Sequence, residues 1–385
     1  MRRMKTRAAV LWGLHQDWKI EEIELDPPKS GEVLVRWLAA GLCHSDEHLV
    51  TGDMVIPEET RVMFGLPDVF PLIGGHEGCG VVEEIGPGVT TLQPGDHVAA
   101  SFIPACGRCA FCVTGRTNLC DLGAAVFGPG QIGDGTDRHH IGDKGIAIVA
   151  KLGTFAEHGI IHESSAVKVD ADLPPAAVAL VSCGVTTGAG SAINRAEVKP
   201  GHTVVVVGVG GVGINAVQGA RMAGARNIVA VDPVEFKQKF ALDLGATHAA
   251  ASMEEAQPLV TELTMGRGAD SVILTPGVMY GDLLGPALTL TGKGGTCVVT
   301  AVAPMTQTNA DINLFELAMW QKEVRGVLFG AGNPRFDIPN LLGLYRSGQL
   351  KLDELITRTY SLDQLNEGYQ DMRDGKNIRG VVVFD

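Results

Sequence analysis

No run of eighteen apolar residues occurs anywhere in this 385-residue chain. The most apolar stretch, Thr203 to Ile214, is broken by four glycines, which excludes a membrane span on length and composition. Basic charge is also scarce. Lys and Arg total 31 against 44 Asp and Glu, a net charge of −13, so a phosphate backbone is not the main partner. No secretion leader is expected either. Met1 to Arg7 is basic, but the apolar stretch Ala8 to Leu14 runs straight into His15, Gln16 and Asp17, with no small-residue cleavage site. The 50 glycines follow no collagen period, and 45% hydrophobic with 19% charged residues excludes a disordered chain. What is left is a globular protein, expected in the cytoplasm and large enough for two domains, with neither nucleic acid nor membrane as its main partner.

The eight cysteines are not spaced as a disulfide framework. A long chain with a large core and no export signal uses thiols as metal ligands or buried groups more often than as bridges. Four of them, Cys106, Cys109, Cys112 and Cys120, lie within one short segment, while Cys43, Cys79, Cys183 and Cys297 are scattered.

The first part of the chain alternates short apolar runs with Gly, Pro and Asp turns. The runs are Ala8 to Leu11, Glu32 to Ala39, Val81 to Ile85, His97 to Phe102 and Ala166 to Val169. That pattern predicts a mostly antiparallel β domain. Gly123 to Gly145, rich in Gly and Asp, is expected as an exposed loop, with His139 and His140 solvated in it. Near Pro200 the character changes. Thr203 to Val207 is a continuous β-branched run of the kind buried on both faces of a parallel sheet. Helices near Glu235 to Leu244, Glu254 to Thr264 and Asp282 to Leu290 then alternate with strands Ile228 to Val231, Thr247 to Ala250, Ser271 to Leu274 and Thr296 to Thr300. Repeated βα units predict a doubly wound α/β sheet. From about Asn333 the pattern changes again, and the tail is expected to rejoin the first domain. The expected domains are therefore residues 1–184 with 333–385, and residues 185–332.

Gly208, Gly210 and Gly213 satisfy G-x-G-x-x-G between a strand and a helix, with Gly211 inside the same turn. The first glycine allows a tight turn, the second lets backbone approach a pyrophosphate, and the third permits close helix–strand packing. Asp232 ends the next strand. An acid there accepts hydrogen bonds from a ribose 2′-OH and repels a 2′-phosphate, which favours NAD over NADP.

Cys106-x2-Cys109-x2-Cys112-x7-Cys120 can close a tetrahedral thiolate shell, the pattern of a structural zinc site. An iron–sulfur cluster and unligated thiols are the alternatives, and the ferredoxin run would need x3 before its last cysteine and a proline after it. Cys43, His76 and Cys183 are too dispersed for spacing alone to join them. Each also reads as a buried thiol or a core histidine. Cys79 and Cys297 sit in apolar runs and read as buried thiols; Phe102 fits either a pocket wall or the core.

The blocks Gly41-Leu-Cys-His-Ser-Asp46, Gly74-Gly-His-Glu-Gly78, the four-cysteine lobe, Cys183-Gly-Val-Thr-Thr-Gly188 and Gly208-Val-Gly-Gly-Val-Gly213 occur in the order found in zinc-dependent medium-chain alcohol dehydrogenases. Over nearly its whole length the chain resembles that family. Gly13 to Trp18, Cys43 to Asp53 and Lys351 to Arg358 resemble most the actinobacterial nicotinoprotein branch, assayed with N,N-dimethyl-4-nitrosoaniline (NDMA). The resemblance implies a GroES-like catalytic domain, with a structural zinc lobe at 106–120, and a Rossmann domain. It implies Cys43, His76 and Cys183 as ligands of a catalytic zinc, Glu77 behind the metal, and Ser45 and His48 as a proton relay with His48 outermost. It places His44, Thr187, Lys237 and Arg379 at cofactor-contacting positions, and implies two zinc ions per subunit, a tightly held NAD, an alcohol or aldehyde substrate and a homo-oligomer. An ordinary NAD-exchanging dehydrogenase, a glutathione-dependent formaldehyde dehydrogenase and a non-catalytic zinc- and nucleotide-binding redox sensor are the competing readings. Asp121 to Gly128 lacks the anion-binding arginine of the formaldehyde type, and a sensor needs no relay. Between His48 and His76, the segment Leu49 to Gly75 is longer than in the liver-type pattern. Its Met54 to Pro57 and Met63 to Leu66 are apolar enough to be expected to pack and cover a cofactor.

Overall fold

A computed structural model describes residues 3–125 and 130–384. Met1, Arg2 and the stretch 126–129, part of the loop and of the arginine-free segment considered above, lie outside the described residues. The chain divides into two compact units. One comprises Met1–Cys183, Asn333–Gly343 and Leu352–Asp385; the other comprises Gly184–Gly332 and Leu344–Lys351.

The first unit holds two sheets. In the smaller, strand Met4–Leu11 pairs antiparallel with Lys19–Leu25 and with Leu72–Ile73. In the larger, the central strand Glu32–Gly41 pairs antiparallel with Gly78–Ile85, His158–His162 and the C-terminal strand Arg379–Val383. Val33, Val35, Trp37, Val82 and Val98 form one buried cluster on this sheet. The register Val381↔Gly41 and Val382↔Ala40 is what carries the tail back beside residues near the start of the chain. This is the GroES-like fold.

The second unit is a Rossmann fold. Its six parallel strands lie in the order His248–Ala250, Asn227–Val231, Thr203–Val207, Ala269–Leu274, Thr291–Val299, Glu323–Gly326. Every residue of Thr203–Val207 is buried, as a strand covered on both faces requires.

Two expectations need correction. The segment Gly123 to Gly145 is not simply an exposed loop. His139–Ile141 is a strand paired with Leu25 and Glu24, and Arg138, His139 and His140 are buried. His140 Nε2 lies 2.8 Å from Asp26 Oδ2, and burial pushes the His139 imidazole down to about 3. Neither histidine is solvated, because Arg138 anchors the segment through both its Glu32 hydrogen bonds at 2.8 Å. In the segment after His48, Met54 and Val55 do pack against a core cluster. Val62, Met63 and Phe64, on or next to helix Glu58–Met63, are 67%, 77% and 69% exposed, so that half is not packed as expected. Helical Pro175–Arg195 is long and apolar enough to cross a membrane, although no unbroken apolar run announced it. Since 83% of its most apolar window is buried inside the protein, that apolarity is accounted for by core packing.

Candidate active site

Cys43 ends an extended segment and caps helix His44–Thr51. His76 and Glu77 immediately precede strand Gly78–Ile85, and Cys183 lies in a π-helical turn, Val181–Val185, that widens the end of helix Pro175–Leu180. Such turns displace a side chain from the regular helical stripe and recur at functional sites. Ser182 anchors this one: its Oγ accepts from Gly78 N at 3.0 Å and donates to the Ala179 carbonyl at 2.5 Å.

These elements bring Cys43, His76, Glu77 and Cys183 together, with one donor atom from each lying within 4.8 Å of the others and all four residues buried. His76 Nε2 is buried and has no hydrogen-bond partner among the described residues. An orphaned imidazole nitrogen beside two thiols is costly unless something electrophilic meets it. A divalent, thiolate-preferring metal such as zinc fits this donor set. The hydrogen bond from Cys183, which outweighs the burial opposing it, holds the Cys43 thiol well below its ordinary value.

The groups behind these donors are equally defined. Asp46, fully buried, sets Oδ2 3.0 Å from His76 Nδ1, while its Oδ1 accepts from Gly75 N at 2.9 Å. A carboxylate on the far nitrogen orients a ligating imidazole and raises its basicity. Asp46 was not singled out from the sequence, although it stands in the same Gly41 to Asp46 block, three residues after Cys43. Arg379, expected against a cofactor, is buried with its guanidinium donating to Glu77 Oε2 and to the Leu42 carbonyl. Burial raises Glu77 to about 7 against the opposing charge of Arg379. Gly41 makes room for this pair: a Cβ there would stand 2.0 Å from Glu77 Oε2. Ser45 Oγ lies 3.8 Å from Cys43 Sγ, His48 is buried, and His44 is exposed at the start of the same helix. Phe102 stacks edge-on against the His76 ring with centroids 5.8 Å apart.

The other four cysteines form a second cluster. Cys106 and Cys112 place their sulfurs 3.9 Å apart, and Cys109 and Cys120 theirs 4.0 Å apart. A tetrahedron with metal–sulfur bonds of about 2.3 Å has edges of about 3.8 Å, so the cage has the dimensions of a closed four-thiolate site. Backbone N–H groups of Arg108 and Cys109 point at Cys106 Sγ, and those of Cys112 and Asp121 at Cys109 Sγ, at 3.4–3.5 Å. The Asp121 N–H first, and then that of Cys112, brings the Cys109 thiol down to about 6. Replacing Cys109 by Ser should release one metal equivalent and lower Tm by roughly 5 °C or more, because a closed site contributes folding free energy. Metal analysis with a thermal melt reads both; an unchanged melt would leave this lobe without a structural role.

In the second unit, Gly208 closes the first strand at φ 84°, and a Cβ there would meet the Thr275 carbonyl at 2.6 Å. Gly213 opens helix Gly213–Met222, where a Cβ would stand 1.8 Å from the Gly208 carbonyl. Gly210 differs: a Cβ there meets nothing within 4 Å. The protein does not need glycine at that position, whereas a pyrophosphate approaching the backbone would. Gly211 lends its carbonyl to Asn215 Nδ2 at 2.9 Å. Asp232 takes Val209 N on one oxygen and Val234 N on the other, each at 2.9 Å, which fixes the carboxylate at the strand's end. Thr187 lies on helix Thr186–Gly190, with its carbonyl bonded by Ser191 Oγ at 2.7 Å, and Lys237 is half-buried on helix Glu235–Asp243.

Residues 29–171 match the family model described as alcohol dehydrogenase GroES-like domain, and residues 211–346 match that described as zinc-binding dehydrogenase. The chain is 50% identical over 380 residues to an NDMA-dependent alcohol dehydrogenase of Amycolatopsis methanolica, covering 99% of each chain. It is 48% identical to alcohol dehydrogenase B of Mycobacterium tuberculosis, again over 99% of each. Among solved structures, an alcohol dehydrogenase zinc-binding domain protein of Burkholderia ambifaria superposes over all of both chains with TM-score 0.90 and 31% identity. Benzyl alcohol dehydrogenase of Acinetobacter calcoaceticus superposes with TM-score 0.89 and 30% identity, over 99% of this chain and all of that one.

Proposed function

The chain belongs to the zinc-dependent medium-chain alcohol dehydrogenases, oxidoreductases acting on alcohols, and from that premise we propose a nicotinoprotein whose NAD stays bound while two substrates reduce and reoxidise it in turn. The observation that carries the zinc-dehydrogenase part of the reading is the buried donor set Cys43, His76 and Cys183, with Glu77 as the neighbouring carboxylate held by Arg379. Cys43, His76 and Cys183 hold the catalytic zinc; Cys106, Cys109, Cys112 and Cys120 hold a second, structural one. Gly208, Gly210, Gly211 and Gly213 cradle the pyrophosphate, and Asp232 takes the ribose, with His44, Thr187 and Lys237 as further cofactor contacts. Arg379, buried on Glu77, contributes through that pair.

When bound, zinc supplies Lewis acidity that brings an alcohol's pKa toward neutrality, and NAD supplies the two-electron acceptor. The residues supply the rest. Asp46 orients the His76 ring through Nδ1, so that Nε2 faces the ligand position. Ser45 accepts the alcohol proton and passes it toward His48, whose imidazole holds it. Cys43 and Cys183 are buried, which limits the access of bulk water to the reacting groups.

The test is turnover of a His48→Gln protein with an alcohol and a nitrosoaniline acceptor. Turnover should fall about 10- to 100-fold, and imidazole-sized bases added to the buffer should restore part of it. Undiminished turnover would remove His48 from the reaction. The NDMA-dependent relative supports the nicotinoprotein branch over free exchange of NAD.

A further inference from the structure

His48 sits on the last turn of helix His44–Thr51 and is only 2% exposed, so it does not itself face solvent. Its Nδ1 lies 3.0 Å from Asp53 Oδ2, an oxygen that also accepts from Thr51 Oγ1 at 2.7 Å. Gly52 produces this juxtaposition. It ends the helix in the left-handed region, at φ 92°, and turns the chain back so that Gly52 N and Met54 N both donate to the His48 carbonyl at 3.1 Å. Asp53 is thereby folded against the ring five positions before it. Its side chain is 23% exposed against 3% for that of His48, which makes the carboxylate the solvent-facing member. Among the described residues His44 is also placed near His48, with ring centroids 6.1 Å apart.

We propose that Asp53 is a positioning residue for His48: it accepts the Nδ1 proton, holds the ring as that tautomer and leaves Nε2 as the one lone pair able to take a proton during turnover. An ionised carboxylate only accepts hydrogen bonds, so the nitrogen facing it must be the protonated one. Thr51, ahead of the burial that opposes it, and then His48 keep Asp53 below the ordinary carboxylate range. When Nε2 gains the alcohol's proton, a new N–H bond forms and the ring becomes an imidazolium. Its single positive charge then faces the single negative charge of Asp53; the Nδ1–H bond breaks as that proton leaves along the carboxylate to water, and reduction of the second substrate draws a proton back by the same path, restoring the Nδ1–H tautomer. This inference rests on the reading that turnover moves a proton through His48.

The experiment is long-range 1H–15N spectroscopy on the purified protein labelled with 15N-histidine, the His48 signals being assigned by their absence in His48→Gln. Wild type should show Nδ1 protonated and Nε2 bare, and Asp53→Ala should shift His48 toward Nε2–H. In parallel, kcat should fall about 10- to 100-fold in Asp53→Ala, with KM within about 2-fold. Asp53→Asn, which keeps the volume but can turn an N–H toward Nδ1, should lose kcat likewise, and it gives a second arm if the alanine protein folds poorly. Asp53→Glu should recover part of the loss. A wild-type ring protonated at Nε2, or a tautomer and kcat unaffected by both substitutions, would overturn the proposal. A wild-type protein that turns over no alcohol would instead refute the functional reading, and the tautomer would still decide the His48–Asp53 pairing.

Discussion

Extensively dialysed protein, given an alcohol and NDMA but no NAD, should turn over, and denaturing it should release about one NAD(H) per subunit. The magnitudes show why this result is decisive. Survival through a day of dialysis needs an off-rate of about 10⁻⁵ s⁻¹. With an on-rate of about 10⁶ M⁻¹s⁻¹ that is a Kd of about 10 pM, or about −15 kcal/mol. An exchanging dehydrogenase with micromolar affinity has about −8 kcal/mol. The Gly208 to Gly213 loop and Asp232 do not explain a difference of about 7 kcal/mol. A charge-assisted hydrogen bond contributes roughly 1.5–3 kcal/mol and a helix N-terminus up to about 2, and a cofactor that exchanges uses the same contacts. The surplus has to come from burying the cofactor more completely. Within the first unit, the segment after His48 is anchored at its start, where His15 N donates to the Val50 carbonyl at 2.8 Å and Val55 N to the Gly52 carbonyl at 3.1 Å. Its Val62, Met63 and Phe64 are mostly exposed apolar surface. Turnover that appears only when NAD is supplied would refute retention and leave an ordinary zinc alcohol dehydrogenase.

Replacing Cys43 by Ser should abolish turnover, by about 1,000-fold or more, equivalent to about 4 kcal/mol in the barrier. Bound metal should fall from two equivalents to one, while the fold persists. A serine hydroxyl is a far weaker zinc ligand than a thiolate, and its neighbours cannot compensate: Glu77 is already engaged by Arg379. The fold survives because the first unit is closed by apolar clusters around Trp37, Val35 and Val82, and around Trp18, Phe155 and Tyr369, not by this metal. Cys183→Ser should behave the same way. The contrast with Cys109→Ser, which costs stability before activity, separates the two sites. A Cys43→Ser protein that keeps both metal equivalents and its turnover would overturn the assignment.

Whatever depends on spacing within a few residues was legible in the sequence. The run Thr203 to Val207 forms a strand over those same residues, because a strand buried on both faces reads as a near-continuous β-branched, apolar run. The four cysteines converge as their spacing implied, since a loop that short can reach one point only by folding around it. Gly208 and Gly213 stand where backbone atoms leave no room for a Cβ.

Only the tertiary structure decided what lies far apart in the chain. Arg379 reaches Glu77 across 302 positions because the terminal strand adds to Glu32–Gly41 in one register. Shifting that register by one residue would turn the guanidinium to the opposite face. Burial of His139 and His140 follows from the Arg138–Glu32 pair, which no local composition announces. The outward end of the His48 pair is Asp53 because one left-handed residue, Gly52, folds the chain back. Apolarity signalled that Met63 and Phe64 should pack, but packing needs a partner surface, and both stay mostly exposed. Local patterns specify elements and short-range cages. Which distant side chains meet is set by strand register and packing, because those contacts are selected jointly by the whole core and not by any one segment.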